Sequence, residues 1–256
     1  MLLGSGMQGV MHKYARLTFM EKPEFPMRIN KYLALKNYST RRGADDLVAQ
    51  KKVFINGRLA VLGDKVNEDD KVEVRGIQKK QNFMYFAFNK PKGIVSHSGT
   101  KDAKDITDIF PIQGVFPVGR LDKDSHGLII LTNDGRITDR LLSPKYEHDK
   151  EYNVTTKEKL RSSFKQKMES GVKMEGDEEI TKPCKVEILD DNKFKITLTE
   201  GKKHQIRRMC SALFQEVTDL KRVRIMNIKL GPLKQGQYRK IEGDELNKFL
   251  KSLSLI

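Results

Sequence analysis

Cysteine is nearly absent from this 256-residue chain: Cys184 and Cys210 are the only two, and neither lies in a CxxC pair. That excludes a disulfide-stapled scaffold and the usual zinc spacings, and it suits a reducing, cytoplasmic setting. No uninterrupted apolar stretch approaches the ~18 residues of a membrane-spanning helix, so no membrane partner is expected. No GxxxxGKS, GxxxxGKT or GxGxxG string is present to cradle a nucleotide phosphate. Repeats at periods of roughly 20–50 residues and low-complexity tracts are also missing. His97, His148 and His204 show no spacing suited to metal ligation, so neither a metal nor a cofactor is expected. Acidic residues are in deficit. The chain has 49 Lys and Arg against 34 Asp and Glu, a net charge of +15 and a pI near 9.6. Such an excess favours a polyanionic partner. The 38% hydrophobic fraction is low but sufficient for a compact core.

Residues 1–26 carry no convincing apolar core or small-residue cleavage site and read as a poorly ordered extension rather than a secretory signal. Met7, Met11, Met20 and Met27 are each a conceivable start. Residues 27–76 behave as a unit of their own. Ile29, Tyr32, Leu33 and Leu35 fall on helical spacing, and Ser39 or Thr40 can cap a second helix carrying Ala44, Leu47 and Val48. Val53-Phe54-Ile55 followed by Asn56-Gly57 reads as a strand entering a tight turn, and Val72 and Val74 alternate like a second strand. Residues 77–82 form a polar break, read as a linker. Beyond it, in residues 83–256, short strands and helices mix. Phe83–Phe88, Glu151–Thr155 and Phe194–Leu198 read as strands, and Lys157–Ser170 and Gly243–Leu253 as helices. Such mixing without regular βαβ alternation points to an α+β fold.

The most telling stretch is GRLDKDSHGLIILTNDG, Gly119 to Gly135. It sets Arg120 and Asp122 in a short glycine-bounded loop directly before the apolar run Leu128–Leu131, which reads as a buried strand. Asn133-Asp134-Gly135 then supplies a turn. A carboxylate at the mouth of a buried strand, beside an arginine, is a sensible place for a nucleophile or base. Asp124 reads as a loop residue and Asp134 as part of the turn.

This string resembles the catalytic motif of the bacterial ribosomal RNA pseudouridine synthases, in which the aspartate after Arg-Leu is the nucleophile; by resemblance that is Asp122. RINKYLALKNYSTRRGADDLVAQKKVFINGRLA resembles the S4 RNA-binding domain and implies phosphate contacts from Arg28, Lys31, Arg41, Arg42 and Lys51. In EGKKHQIRRM the family's basic residue after Gln-Ile, here Arg207, pairs with the nucleophile, and Arg208 is its neighbour. Lys150-Glu151-Tyr152 matches the family's tyrosine that stacks on uracil, here Tyr152. Asn89-Lys90-Pro91-Lys92-Gly93 resembles the family's first motif. Lys90, Lys92, Arg120, Lys202, Lys203, His204 and Arg208 are assigned to RNA contact. Lys221, Arg222 and Arg224 are read as further basic surface, and His126 is given no chemical role. The family implies an S4 domain followed by a catalytic domain with a mixed, largely antiparallel sheet and flanking helices.

The chemistry is consistent with these residue types. Isomerising uridine breaks the bond from ribose to N1 and remakes it at C5, so an electron-poor sugar carbon must be met by a carboxylate. An aspartate with an ordinary pKa near ~3.9 is ionised at neutral pH, and burial would require a cation close by. The reaction is redox-neutral and needs no cofactor. The LKRVRIMNIKLGPLKQGQYRKIEGDEL stretch looks most like RluF-type enzymes acting on 23S ribosomal RNA, expected to work as a monomer; 16S or transfer RNA is the alternative substrate. Two rival classes remain: a non-catalytic S4-type RNA-binding or ribosome-assembly protein, which keeps the S4 domain and net charge but leaves Asp122, Tyr152 and Arg207 unexplained, and a metal-dependent nuclease built on the acidic loop.

Overall fold

The computed structural model describes residues 24–36, 38–76, 82–97 and 104–256. Most of the expected extension and the expected linker residues 77–81 lie outside them.

The N-terminal unit runs β1 (Met27–Arg28), α1 (Ile29–Leu35), α2 (Arg41–Ala49), β2 (Val53–Ile55), β3 (Arg58–Leu59), β4 (Lys65–Val66) and β5 (Val72–Val74). The Thr40 hydroxyl accepts from the Gly43 amide at 3.1 Å and caps α2, satisfying one of the amides a helix start leaves without a partner. Asn56 and Gly57 both take positive φ, +50° and +80°, the geometry that lets a two-residue turn join twisted strands. Ile29 and Leu33 of α1 meet Leu47 and Val48 of α2 over Val53 and Ile55 of β2, giving this unit its own core.

The remainder follows as β6 (Tyr85–Lys90), α3 (Ile106–Ile109), β7 (Phe116–Val118), β8 (His126–Thr132), α4 (Arg136–Leu142), β9 (Lys150–Thr156), α5 (Phe164–Glu169), β10 (Lys185–Asp190), β11 (Lys193–Leu198), α6 (Gln205–Ala212), β12 (Val217–Ile225), β13 (Ile228–Lys229), β14 (Tyr238–Lys240) and α7 (Gly243–Ser252). Nine strands form one sheet in the order β10-β11-β9-β12-β8-β6-β14, with β13 beside β12 and β7 beside β8. Among the described residues, every pair in it is antiparallel except β12 with β8. The fold is α+β with a mixed, largely antiparallel sheet.

The uninterrupted apolar run of β8 follows from burial on both faces. Alternate strand side chains point to opposite sides. Leu128 and Ile130 join Ala87, Ile137 and Phe249 on one face, while Ile129 and Leu131 join Phe86, Phe88 and Phe110 on the other. A second core gathers Val154, Phe164, Phe194, Ile196 and Met209 under the β9–β12 half. Each such side chain contributes about 1.5–3 kcal/mol on burial.

The two expected helices change length. The helix expected over 157–170 is only α5, because the Lys157 and Leu160 amides donate to the Glu216 and Asp191 carbonyls of neighbouring strand ends. The helix expected over 243–253 is α7 and ends one residue earlier.

The parallel junction of β8 and β12 is unusually close. Gly127 pairs with Arg222 in register, sits at φ +105°, and a Cβ built on it would lie 2.3 Å from the Arg222 carbonyl oxygen. Gly127→Ala therefore combines left-handed strain, about 1–3 kcal/mol, with a backbone clash. Thermal melting is expected to show Tm lowered by at least ~5 °C, at roughly 2–4 °C per kcal/mol for a protein of this size. An unchanged Tm would mean that the two strands tolerate a methyl between them.

Candidate active site

The parallel junction is also where the chemistry gathers. The loop before β8 brings Asp122 to the rim of a cleft of about 440 Å³, whose wall includes Tyr152, Lys150, Leu220, Arg222 and Ser125. The loop is held at several points. The Leu121 amide donates to Ser96 Oγ at 2.8 Å, the Gly93 amide to the Lys123 carbonyl at 2.9 Å, and the Ser125 amide to the Asp122 carbonyl at 3.1 Å. The last of these closes a turn over Asp122–Ser125. Asp122 keeps 38% of its side chain exposed and has His204 Nε2 3.3 Å from Oδ1. It is a reachable carboxylate on a fixed backbone.

Tyr152 enters from β9, where it pairs with Ile196 on one side and Arg222 on the other. Its half-buried ring lines the cleft and packs against the core below, so a flat apolar face is offered beside Asp122. That face suits stacking on a base. From the other wall α6 and the turn before it contribute Lys202, Lys203, His204 and Ile206. Arg120, Lys202, Lys203 and His204 thus line the cleft that holds Asp122.

Four assigned residues stand elsewhere. Arg207 does not pair with Asp122: its Nη1 donates to the Val217 carbonyl at 2.9 Å and its Nη2 to the Asp124 carbonyl at 3.4 Å. It ties α6 to β12 and to the back of the Asp122–Ser125 turn. Arg208 is turned to the Asp177 carboxylate, which Lys202 also reaches at 3.0 Å. The carboxyl of Asp177 is held below the usual range by those two cations. Lys90 has no exposed surface. Its Nζ donates to the Pro91 and Ile94 carbonyls at 2.9 and 2.6 Å and braces their loop, so it is not placed to touch RNA. Burial lowers its pKa to about 8, against the opposing pull of Asp122. Lys92 is paired with Asp219. Both oxygens of that carboxylate also lie 3.1 Å from Nε2 of the buried His126.

Residues 84–212, half of the chain, match the family described as RNA pseudouridylate synthase, and residues 27–72 match the S4 domain. The chain belongs to the RNA pseudouridylate synthase family. The dual-specificity RNA pseudouridine synthase RluF of Escherichia coli (strain K12) is 40% identical over 229 residues, 88% of this chain and 78% of that one. The ribosomal large subunit pseudouridine synthase B of Bacillus subtilis (strain 168) is 35% identical over 86% of this chain and 94% of its own. The ribosomal small subunit pseudouridine synthase A of Haemophilus influenzae is 34% identical over 88% and 100%. A crystal structure of a pseudouridylate synthase superposes with a TM-score of 0.66 at 31% identity, covering 89% of this chain and 99% of that one. The protein is an RNA pseudouridine synthase, an isomerase carrying an S4 domain.

In this synthase the S4 unit presents Arg28, Arg41, Arg42 and Lys51 exposed and Lys31 half-exposed. Arg42 Nη2 lies 3.2 Å from His97 Nε2. Two cations lining the cleft were not placed there by the sequence reading. Arg222, read as surface, is 4% exposed and lines the cavity. Lys150, given no role, lines it beside Tyr152. Strand alternation held the clue: positions 150 and 152 share one face.

Proposed function

We propose that this synthase converts a uridine of large-subunit (23S) ribosomal RNA to pseudouridine, with Asp122 as the nucleophile and Tyr152 stacking on the base. The observation that carries the reading is the meeting of a reachable carboxylate on a braced turn with a half-buried tyrosine in one cleft. Relatives named for the large and for the small ribosomal subunit are 35% and 34% identical, so the large-subunit target rests on the resemblance of the stretch from Leu220 to Leu246. Arg207 holds the turn from behind through Asp124, a positioning role in place of direct pairing. Arg120, Lys202, Lys203 and His204 guide the strand, and the target nucleotide is flipped into the cleft, which costs a few kcal/mol. The synthase is proposed to act in the cytoplasm as a monomer.

Tritium release from RNA labelled at uridine C5 tests this, because C5 loses its hydrogen only when it becomes the glycosidic carbon. Release from 23S fragments and not from 16S or transfer RNA is the expected result. Release from 16S alone would move the target, and release from none would return the protein to the RNA-binding class.

The S4 cations position RNA without reading sequence. Replacing Arg28, Arg41, Arg42 and Lys51 with Gln is expected to weaken RNA binding. The slope of log affinity against log salt should fall by about 3, at roughly 0.7–0.9 for each phosphate no longer neutralised. Turnover at saturating RNA should hold. A salt titration of binding checks it, and an unchanged slope would remove these residues from the interface.

A further inference from the structure

Lys150 and Arg222 are two of the cations that line the cleft with Asp122. Lys150 and Tyr152 are two apart on β9 and both line the cleft, and Arg222 is the register partner of Tyr152 on β12. The Arg222 guanidinium is pinned: Nε donates to the Leu128 carbonyl at 2.7 Å and Nη1 to the Arg120 carbonyl at 3.4 Å. Among the described residues its buried Nη2 has no partner, and Ser125 Oγ on the same wall is also buried without one. Lys150 Nζ donates to the His148 carbonyl at 3.1 Å. Burial first, and the charge of Arg222 second, pull the pKa of Lys150 down. The two cations therefore disfavour each other, and an anion between them would relieve both. A buried donor left unmatched in a binding cleft is costly unless a guest completes it.

Isomerisation produces such a guest. When the bond from C1′ to N1 breaks, both electrons leave with N1, and the charge spreads over the uracil ring onto O2 and O4. We propose that Lys150 and Arg222 hold the detached uracil as its anion, donating to its carbonyl oxygens while the base turns. This rests on the reading of the cleft as a uridine-isomerising site. The Asp122 carboxylate meets the electron deficiency at C1′. On reattachment C5 gives an electron pair to C1′ as the Asp122 oxygen withdraws with its own; the C5 proton then leaves to solvent and N1 takes one up, which restores the aromatic ring and a neutral base. Lys150 and Arg222 neither gain nor lose a proton; they stabilise charge that exists only after bond cleavage, the kind of contact that accelerates a reaction.

The test uses the full chain and RNA carrying either uridine or 5-fluorouridine at the target, whose ring anion the fluorine stabilises without the protein's help. Lys150→Met and Arg222→Met are each expected to slow single-turnover glycosidic cleavage of the uridine RNA by about 10²–10³-fold. On 5-fluorouridine RNA the loss should shrink at least ~10-fold, with RNA affinity within ~3-fold of wild type and Lys150→Arg largely active. An equal loss on both RNAs would overturn the proposal. So would a parallel loss of affinity, which would make the pair a phosphate clamp. If Arg222→Met fails to fold, Lys150→Met and Lys150→Arg decide alone. A wild type that converts neither RNA would overturn the functional reading and this inference with it.

Discussion

Asp122→Asn is expected to abolish tritium release from C5-labelled RNA, by at least ~10⁴-fold, with RNA affinity within about twofold of wild type. The amide is isosteric with the carboxylate but neutral, so it can neither attack C1′ nor balance the positive charge that builds there. Its framework stays in place. Ser96 holds Leu121, Arg207 reaches the Asp124 carbonyl, and the Ser125 amide closes the turn onto the residue 122 carbonyl. None of these contacts involves the side chain that changes, so the variant isolates chemistry from structure. His204→Ala should behave differently. That imidazole is 49% exposed and 3.3 Å from Asp122, where a solvated pair contributes about 0–1 kcal/mol. Its removal should cost no more than about tenfold. Single-turnover rates for the two variants, measured side by side, separate a reacting group from a neighbour. Activity of Asp122→Asn within tenfold of wild type would remove Asp122 from the reaction.

What the sequence disclosed and what it concealed divide along one physical line. The loop that carries Asp122 was legible because its setting is local: a glycine-bounded loop, an apolar run, then a turn, all within one continuous stretch. The S4 helices were legible for the same reason, with Thr40 capping and a two-residue Asn-Gly turn set by neighbours in the chain. Arg207 was not. Its residue type matched, but its direction is decided by the Val217 carbonyl, ten residues on, and by a turn far back in the sequence. Lys90 misled in the same way. A lysine before a proline reads as solvated, yet β6 lies between β8 and β14 with both faces covered. There the ammonium donates to backbone carbonyls. Arg222 followed suit, because LKRVR offers three basic residues whose fates diverge only when β12 enters the sheet. Lys221 and Arg224 remain half-exposed, while Arg222 is buried in the wall of the cleft. Long polar side chains are placed by tertiary structure, and no periodicity reports where their ends lie.

Asp134 gives the sharpest case and the second large effect. It sits in the Asn-Asp-Gly turn, but it is 0% exposed. Its carboxylate accepts from Arg136 Nε at 2.9 Å, Arg136 Nη2 at 2.8 Å and the buried Tyr85 hydroxyl at 2.6 Å. It also accepts from the Arg136 amide at 3.1 Å at the start of α4, and Arg136 in turn lies 4.3 Å over the Phe83 ring. One carboxylate therefore joins β6, the end of β8 and α4. Asp134→Ala would strand the Tyr85 hydroxyl and part of the guanidinium charge, and breaking a buried pair from one side costs about 3–5 kcal/mol. Tm is expected to fall by roughly 10 °C. Asp134→Asn, which keeps an acceptor for Tyr85, should lose less. Tyr85 adds a pH signature. Burial first, and Asp134 second, push its hydroxyl well above the usual tyrosine value. Its contribution is whole below pH ~10, where the unfolded tyrosine begins to ionise, and is lost as pH rises further toward the folded value. Urea midpoints at pH 8 and pH 11 should therefore differ more for wild type than for Tyr85→Phe. Asp134 lies at the far end of β8 from Asp122, so the Asp134 variants should keep their turnover at temperatures where they remain folded. If Asp134→Ala melts within ~2 °C of wild type, the triad contributes nothing to stability. If it stays folded but stops isomerising, this end of the strand is coupled to the cleft after all.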